Sequence, residues 1–592
     1  MKQIDKITII LTVFIMIFTG VLFFGAASSD LGVNTGDVSY SSYFDPEKIT
    51  TVNLTISDED WQDMMENPLS EEYRLCNVEI NGDAYEAAAI RTKGMTSLSQ
   101  VASSDSDRYS FKIKSDEYVK DQTFKGLTKF VLNNNYQDAT YMKEYLSYQM
   151  MTELGVPTPL FSYAAVYING EYYGLYLMVE AVEDDFAERN FGADFGNLYK
   201  PESMGNGGGG GSDGKGNMPG NGKMPEGFGN ISDFQGGFPG NGDFMMQQFG
   251  DGNGFTGNSM MQQTGNENGF AGNPMMQPGA AEMPADAGNA AGFGREFGNG
   301  FDRNMSKDMP GDFGGSGGFG GGGTDLVYTD DSLTSYSNIF DNAVFSRTDT
   351  TASEVRVVEA LKHLADGTDL DRYIDVDEVL RYFAANTALV NLDSYAGSMK
   401  HNYYLYENNG KLSMIPWDYN LAFGGFGSSA SDMINFPVDT PVSSGTNLSE
   451  RPMIGSLLAV DSCKEQYHSY LRWIAEEFFG NSFSARVDAI DSLINEYVKN
   501  DPTAFYSYEE YQKSLPELKK LSTLRAESIL GQLNGTIPST HDGQKADSSS
   551  LIAADEVNFS ALGSMMGGGG GFGNFGGNSG RENNGRNMPQ MM

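Results

Sequence analysis

The stretch NLDSYAGSMKHNYYLYENNGKLSMIPWDYNLAFGG, residues 391–425, decides the fold that we expect. Two runs of alternating apolar and polar residues flank an Asn-Gly pair at 409–410, and this dipeptide favours a tight turn between antiparallel strands. Asn402 opens the predicted hairpin, Asp418 closes it, and Asp393 precedes it. The sequence therefore predicts that these three polar residues lie at one end of one supersecondary unit.

Their chemistry suits phosphoryl transfer. In protein kinases a catalytic Asp follows a helix, a metal-binding Asn follows that Asp, and a hairpin leads to a metal-binding Asp. Asp393 is thus a candidate catalytic residue, and Asp418 and Asn402 are candidate ligands of Mg²⁺ or Mn²⁺, which prefer oxygen donors. Structural interpretations stay open. Asp418 could be a turn residue, Asp393 the end of a helix, and Asn402 only the first residue of the hairpin.

The residues around this unit, 325–535, are predicted to be mainly helical. The segment DVDEVLRYFAANTALVNLDSY has the apolar spacing of an amphipathic helix that ends near Asn391. Its apolar face comprises Val376, Val379, Leu380, Phe383 and Val390. Further amphipathic helices follow the hairpin, so Asp393 is expected directly after a helix.

Residues 47–202 are predicted to be rich in strands, with hairpin turns at 81–82 and 169–170. A capping box from Ser57 to Asp60 indicates one helix. A second helix is predicted in DATYMKEYLSYQMMTELGVP, with Asp138 as its N-cap and Gly155 just beyond its end. Taken with the helical second part, this pattern predicts the α+β class.

Two segments, 203–324 and 540–592, are dominated by Gly, Asn, Met and Phe and are predicted to be disordered. The first contains MMQQ or MMQ at intervals of fifteen residues. Such glycine content leaves too little apolar surface to offset the entropy of ordering the chain. We therefore expect one domain in two pieces, separated by a long insertion and followed by a tail.

The N-terminus carries Lys2 and Lys6 before an uncharged apolar run over 7–27. This run is long enough to cross a bilayer, and the GAASS that ends it could be a signal-peptidase site. Residues 1–29 are thus predicted to be either a membrane anchor or a cleaved signal. In both cases we expect the rest of the chain to be exported.

Composition excludes several partners. Lys and Arg number 39 against 79 Asp and Glu, a net charge of −40, which argues against nucleic acid or anionic lipid as a ligand. The two cysteines, Cys76 and Cys463, are too few for a disulfide framework or a zinc cluster, and we expect both to be buried. Contact with a membrane is expected through the N-terminal segment alone.

The 391–425 stretch, together with 138–184 and GNLYKP at 196–201, resembles the CotH family of secreted atypical protein kinases. The resemblance covers nearly all of 50–200 and 330–530. It implies a two-lobed kinase-like fold that uses ATP and Mg²⁺ or Mn²⁺ to phosphorylate Ser or Thr of exported proteins. Asp393 resembles the catalytic Asp of the family, Asp418 its metal-binding Asp, and Asn402 the polar residue at the start of its hairpin.

Nucleotide-binding residues follow less directly from the pattern. Lys112 and Lys114 share one face of the predicted strand SFKIK, and one of them is expected to contact the phosphates. A solvent-exposed lysine at a sheet edge is the alternative for both. Glu144 has the helix position of a partner for that lysine. It lies opposite the stripe of apolar residues on its helix, however, so we expect it to face solvent.

Three further residues are candidates by position. Glu180, at the end of the second hairpin, is expected where a hinge would meet adenine. Arg91 and Lys93 flank the single glycine of RTKGMTS, a weak nucleotide-loop signal, and either serve phosphate or lie at the surface.

The resemblance has limits. No His-Arg precedes Asp393, Asn402 follows it by nine residues, and no glycine stands two residues after Asp418, so a movable metal-binding loop is not implied. We therefore expect an ATP- and metal-dependent kinase of secreted or surface proteins. The alternative is a non-catalytic adhesin or coat-assembly scaffold on the same fold.

Overall fold

A closed barrel of seven strands is formed by the first part of the chain. The computed structural model describes residues 38–201, 323–347 and 350–563. The strands follow one another in the order β1-β2-β3-β4-β5-β7-β6, and β6 pairs in parallel with β1 to close the barrel. Their bounds are β1 (Thr50–Ile56), β2 (Arg74–Ile80), β3 (Asp83–Lys93), β4 (Ser110–Lys114), β5 (Lys129–Asn133), β6 (Phe161–Ile168) and β7 (Glu171–Glu180). The predicted α+β class is confirmed, whereas closure of the strands into a barrel was not predicted.

All three predicted Asn-Gly hairpins are present. Asn81, Asn169 and Asn409 have positive φ angles of 51°, 51° and 53°, and each is followed by a glycine that also has positive φ. Asn and Gly are the residues that adopt this left-handed conformation most readily. The turns therefore form where the sequence indicates them, and each fixes the register of the two strands that it joins.

Four α-helices accompany the barrel: α1 (Asp58–Glu66), α2 (Thr96–Ala102), α3 (Lys143–Glu153) and α4 (Asp184–Phe191). The Ser57 side chain caps α1 as predicted, accepting a hydrogen bond from the Asp60 backbone. The predicted N-cap of α3 at Asp138 is wrong. Tyr141 has a φ of 58°, which a right-handed helix cannot include, so the helix begins at Lys143.

A four-stranded antiparallel sheet with order β11-β10-β8-β9 joins the barrel to the helical part. Its strands are β8 (Asn197–Tyr199), β9 (Ala343–Phe345), β10 (Tyr403–Asn408) and β11 (Lys411–Pro416). The chain before the predicted insertion supplies β8, and the chain after it supplies β9. These two strands are hydrogen-bonded neighbours although the predicted insertion separates them in sequence.

Ten α-helices complete the described chain, and α8 is buried along most of its length. Their bounds are α5 (Ser337–Phe340), α6 (Thr350–Asp366), α7 (Leu370–Tyr373), α8 (Val376–Leu389), α9 (Ala430–Asn435), α10 (Pro452–Leu458), α11 (Asp461–Trp473), α12 (Phe483–Lys499), α13 (Tyr508–Leu533) and α14 (His541–Ala546). A π-helical segment, Ile474–Ser482, connects α11 to α12. The predicted helix before Asp393 is confirmed as α8.

The end of α8 is held by a buried arginine from α13. Arg525 is fully buried and donates hydrogen bonds to the carbonyls of Thr387 and Ala388, at 2.9 and 3.3 Å. It also donates to the carbonyls of Ile434 and Phe436. These bonds satisfy carbonyls at the C-terminal end of α8 that have no partner within the helix. They therefore fix the point from which the chain turns toward Asp393.

The predicted disordered tail begins too early, because residues 540–563 are folded onto the protein. They include α14 and a short 3₁₀ turn, Phe559–Leu562, in which the Leu562 side chain is buried. Apolar residues such as Leu551, Ile552 and Val557 give this stretch surface to bury that the glycine-rich remainder lacks. The predicted segment 1–29, residues 203–322 of the predicted insertion 203–324, and residues 564–592 of the predicted tail lie outside the described residues.

The two cysteines differ in burial, and the described helices can be compared with the length of a membrane span. Cys76 is buried as predicted, whereas Cys463 is only half-buried, and both are free thiols. None of the helices in the three described ranges has the length and apolar character needed to cross a lipid bilayer.

Candidate functional site

Asp393 and Asp418 lie at the same end of the β10–β11 hairpin. Tyr403, the first residue of β10, pairs with Pro416, the last residue of β11, so the residues just outside the pair are brought together. Asp393 comes from the loop after α8, and the two carboxylates are close enough for Asp393 to raise the pKa of Asp418. The structure thus brings together the two acids that the sequence predicts.

Both carboxylate oxygens of Asp393 are held by the residues that open the hairpin. His401 Nε2 lies 2.6 Å from Oδ1, and Asn402 Nδ2 donates to Oδ2 at 3.0 Å. The same Asn402 amide also donates to the Asp393 carbonyl at 2.9 Å. These contacts orient the Asp393 carboxylate. They also turn the nitrogen of the Asn402 amide toward Asp393, so its Oδ1 is the atom suited to a cation.

The Asp418 side chain projects from a residue in the left-handed conformation, with φ of 62°. Its backbone N–H donates to the Tyr148 hydroxyl of α3 at 3.2 Å. Burial is the largest influence on the Asp418 carboxyl and raises its pKa, and Asp393 raises it further. Lys93, His401 and Lys200 act in the opposite direction. Asp418 as a whole residue is half-buried, and the charge of its carboxylate is offset by cations from three parts of the chain.

Lys93, the last residue of β3, supplies one of these cations. Its Nζ donates to Asn133 Oδ1 at 2.8 Å and lies 5.5 Å from the centre of the Trp417 ring. Although the residue as a whole is half-buried, enclosure of the ammonium lowers its pKa, while Asp418 and Glu144 oppose that effect. The sequence left Lys93 open between a phosphate ligand and a surface residue, and the structure shows it facing the carboxylates.

Glu144 faces the same enclosed space, so the prediction that it is exposed to solvent is wrong. The residue is only 4 % exposed, and both its carboxylate oxygens accept hydrogen bonds from Asn133 Nδ2, at 3.1 and 3.0 Å. Burial raises its pKa, Asp418 raises it further, and Lys93 opposes the change. The error has a simple cause: α3 is buried on nearly every side, so the face opposite its apolar stripe is not a solvent face.

The residues predicted to bind nucleotide belong to strands of the barrel and are held in ion pairs. Lys112 contacts Glu183 Oε1 at 3.2 Å, and Lys114 contacts Glu117 Oε2 at 2.8 Å. Lys112 is opposite Arg91 in the β3–β4 ladder and is close enough to influence Lys93.

The other two predicted nucleotide ligands are held by neighbours of their own. Arg91 pairs with Glu71 and lies over the ring of Tyr73. Glu180 is fully buried and accepts hydrogen bonds from Arg189 and from the Tyr40 hydroxyl. Whether these four residues, Lys112, Lys114, Glu180 and Arg91, bind nucleotide stays a prediction.

The donor set fits a magnesium-like cation. Within the described ranges no group of three or more His, Cys, Asp or Glu side chains is arranged to hold a metal. Mg²⁺ needs no such group, because one or two carboxylates, water and substrate phosphates commonly complete its shell. Asp418 with the Asn402 Oδ1 offers oxygen donors of this type. Mutual repulsion among Asp393, Asp418 and Glu144 would also be relieved by a divalent charge.

Comparison with known proteins adds two findings. The model of the CotH family, described as CotH kinase protein, matches residues 90–226 and 339–529, more than half of the chain. The inner spore coat protein H of Bacillus subtilis (strain 168) is 32% identical over 77 residues. That match covers 13% of this chain and 21% of the relative, so the similarity spans about a fifth of the relative's length.

Proposed function

The chain belongs to the CotH kinase protein family, and from that membership and the geometry of its site we propose that it is an ATP- and metal-dependent protein kinase acting on Ser or Thr. The single observation that carries the proposal is the convergence of Lys93, Glu144, Asp393 and Asp418. Protein kinases use a lysine on strand β3, a helix glutamate, a catalytic acid and a metal-binding acid. Here the lysine is likewise on the third strand, and the glutamate on the helix packed beside the site.

A two-lobed architecture is part of this proposal. The barrel with α3 would be the N-terminal lobe, and the helices around α8 would be the C-terminal lobe. The small sheet would join them, since β8 follows the barrel in sequence and pairs with β10. Asp393 and Asp418 then belong to the second lobe and Lys93 to the first, which leaves the phosphates of ATP between them.

Each residue has a separate task in the proposed reaction. The Asp393 carboxylate orients the acceptor hydroxyl and takes its proton, because each oxygen keeps a lone pair beyond the bond it already accepts. The acceptor oxygen forms a bond to the γ-phosphorus, the bond from that phosphorus to the β–γ bridging oxygen breaks, and ADP leaves. Lys93 contacts the phosphates as a point charge.

Asp418 and Asn402 are the residues that would hold Mg²⁺ or Mn²⁺. When bound, the cation supplies positive charge beside the phosphate oxygens. The remaining role of the protein is positional: His401 and Asn402 fix Asp393, while Tyr148 fixes the backbone of Asp418.

Location and substrate class are proposed from the curated relative and from the N-terminal sequence. The relative named as an inner spore coat protein and the apolar N-terminal sequence both favour an exported protein at a cell or coat surface, either anchored or released. Its substrates would then be secreted or surface proteins with accessible Ser or Thr. The net charge of −40 disfavours nucleic acid as a partner.

The experiment is a labelling assay with the purified chain, γ-labelled ATP, Mn²⁺ or Mg²⁺ and a Ser-rich acceptor protein. We expect label in the acceptor with the unmodified protein, none with Asp418→Ala, and none after chelation of the metal by EDTA. Asp461→Ala, which removes an exposed acid at the start of α11, is the matched control and should keep the activity.

Absence of label together with no rise in melting temperature on adding nucleotide and metal would refute the kinase proposal. The non-catalytic coat or adhesion scaffold would then be the better interpretation of the same fold.

A further inference from the structure

A series of buried polar groups, Asn133, Glu144 and Tyr148, lies between Lys93 and the backbone of Asp418. Lys93 Nζ donates to Asn133 Oδ1 at 2.8 Å, and Asn133 Nδ2 donates to the Glu144 carboxylate at 3.0 and 3.1 Å. The Tyr148 side chain, one helical turn along α3, lies close enough to the same carboxylate for each group to influence the pKa of the other. The Tyr148 hydroxyl in turn accepts the Asp418 backbone N–H at 3.2 Å.

The two linking residues, Asn133 and Tyr148, are buried and closely packed. Asn133 is 8 % exposed at the end of β5, and Tyr148 is fully buried. The Tyr148 ring is packed against Phe161 and Tyr419, with centroids 5.6 and 6.0 Å away. Polar groups at this depth are costly to leave without partners, so each member of the series holds the next in one position.

This arrangement differs from the direct lysine–glutamate ion pair of ordinary protein kinases. Here the Asn133 amide lies between the two charges, accepting from the lysine and donating to the glutamate. The Asp418 amide is likewise tied to α3 rather than left in a loop free to turn. A left-handed backbone at a residue other than glycine costs energy, and it persists where neighbouring groups hold it.

We propose that Asn133 and Tyr148 are positioning residues: Asn133 sets Lys93 by bridging it to Glu144, and Tyr148 sets Asp418 by accepting its backbone N–H. Neither residue touches the reacting groups in this scheme. Each fixes a residue, Lys93 or Asp418, that contacts the phosphates or the metal in the proposed reaction. Residues around metal ligands commonly act in this way. The expected effect on metal and nucleotide binding rests on the proposed function. The positioning of Lys93 and Asp418 by hydrogen bonds does not.

The test compares variants that lose one buried group inside or outside the series. Tyr148→Phe removes the linking hydroxyl and keeps the ring. Its matched control is Tyr145→Phe on the same helix, whose hydroxyl bonds the Pro46 carbonyl at 2.9 Å. Asn133→Ala is paired with Asn134→Ala, since the Asn134 amide donates to the Arg108 carbonyl and is also buried.

Two readouts are needed. The first is the affinity of each variant for Mn²⁺, measured by calorimetry with and without a non-hydrolysable ATP analogue. The melting temperature of each variant is measured in parallel. We expect Tyr148→Phe and Asn133→Ala to weaken binding by about 10- to 100-fold, with melting temperatures no lower than those of their controls. The double variant should lose less than the product of the two single effects, because the residues act as one unit.

The second readout is amide hydrogen exchange of the segment containing Asp418 in the protein without ligand. Exchange should be faster in Tyr148→Phe than in Tyr145→Phe, since only the first removes the acceptor of that amide. Equal exchange and equal binding in the two variants would overturn the proposal. If the unmodified protein binds neither metal nor nucleotide, the proposed function fails, and the exchange comparison alone decides whether Tyr148 holds Asp418.

Discussion

Lys93 is a cation of the site whose charge acts on both Asp418 and Glu144. Lys112, which lies opposite Arg91 on the adjacent strand, is engaged with Glu183, so the two lysines can be distinguished by substitution. We expect Lys93→Met to lower phosphorylation by on the order of a hundredfold or more, as loss of a charge-stabilising group in an enclosed site does. Lys112→Met, the matched control, should stay within about tenfold of the unmodified protein in the same labelling assay. A larger loss with Lys112→Met than with Lys93→Met would show that a lysine of β4 contacts the phosphates, as the sequence predicts.

Asp439 provides a pH-dependent contribution to stability away from the site. Burial raises the pKa of this carboxyl, but hydrogen bonds from His468, Ser539 and Lys464 outweigh burial and lower it from 3.8 to about 2. A lowered pKa means that folding favours the ionised form, so the contribution is complete above about pH 4 and is lost as the pH falls through about 2. At about 1.4 kcal/mol per pKa unit this amounts to about 2 kcal/mol.

Urea unfolding of Asp439→Asn should therefore show a free energy of unfolding lower by about 2 kcal/mol at pH 7. The difference from the unmodified protein should shrink as the pH approaches 3. Asp331→Asn, which removes an exposed acid paired with Lys362, is the control and should change little at any pH. A difference for Asp439→Asn that is constant from pH 7 to pH 3 would contradict the assignment.

Single residues of the site were predictable where a local pattern isolates them. Asp393 precedes a strongly marked hairpin in the sequence and Asp418 follows it, and the structure brings the two acids together. Glu144 and Lys93 were harder to predict as site residues, because strands and helices distant in sequence form their environment. One signal was available for Lys93: it stands two residues after Arg91 on the same strand face and directly before a glycine.

Removal of the C-terminal segment 558–563 should destabilise the protein at the start of α3. Lys143, the first residue of that helix, is fully buried, and its Nζ donates to the Gly563 carbonyl at 2.6 Å. The Leu562 carbonyl accepts the Ala139 backbone N–H, and the Leu562 side chain is buried. Losing these groups leaves a buried ammonium short of an acceptor and opens an apolar gap. We expect a loss of about 2–4 kcal/mol.

Two truncated chains, one ending at Val557 and one at Gly563, isolate this segment, because both lack residues 564–592. Chemical denaturation should show the shorter chain to be the less stable, and Leu562→Ala in the longer chain gives the apolar part of the loss. Identical unfolding midpoints for the two truncated chains would show that the segment does not support α3.

Elements were predictable to the extent that their signals are local. The hairpin turns and the helix before Asp393 follow from dipeptides and spacing within one segment, and all are present. Closure of the barrel requires β6 to pair with β1, more than a hundred residues earlier in the chain. Nothing in the periodicity of either strand specifies that partner, since alternation describes the two faces of a strand and not its neighbour.

At the scale of the whole molecule, a buried ion pair joins the barrel to the helices. Arg108 and Asp501 are both fully buried and 2.8 Å apart, and Asp501 also accepts the Leu175 backbone N–H of β7. Removing one member leaves the other as a buried unpaired charge. Asp501→Ala should therefore lower the free energy of unfolding by about 3–5 kcal/mol.

The control is a more exposed pair that also joins the two parts, Arg486 with Glu153. Arg486→Met should cost less than about 1 kcal/mol, because water screens that pair and competes for it. Denaturant titration of both variants provides the comparison. Equal losses would indicate that the buried pair has no special part in holding the barrel to the helices.

Barrel closure has a consequence for how copies of this protein could associate. Every barrel strand has a hydrogen-bonded neighbour on both sides, so polymerisation by adding strands has no starting point there. In the described ranges the outer strands of the small sheet are β9, which has three residues, and β11, which a bridge from Ile374 to Leu412 partly covers. Association through residues 38–201, 323–347 and 350–563 would therefore use side-chain surfaces rather than extend the barrel from one molecule to the next.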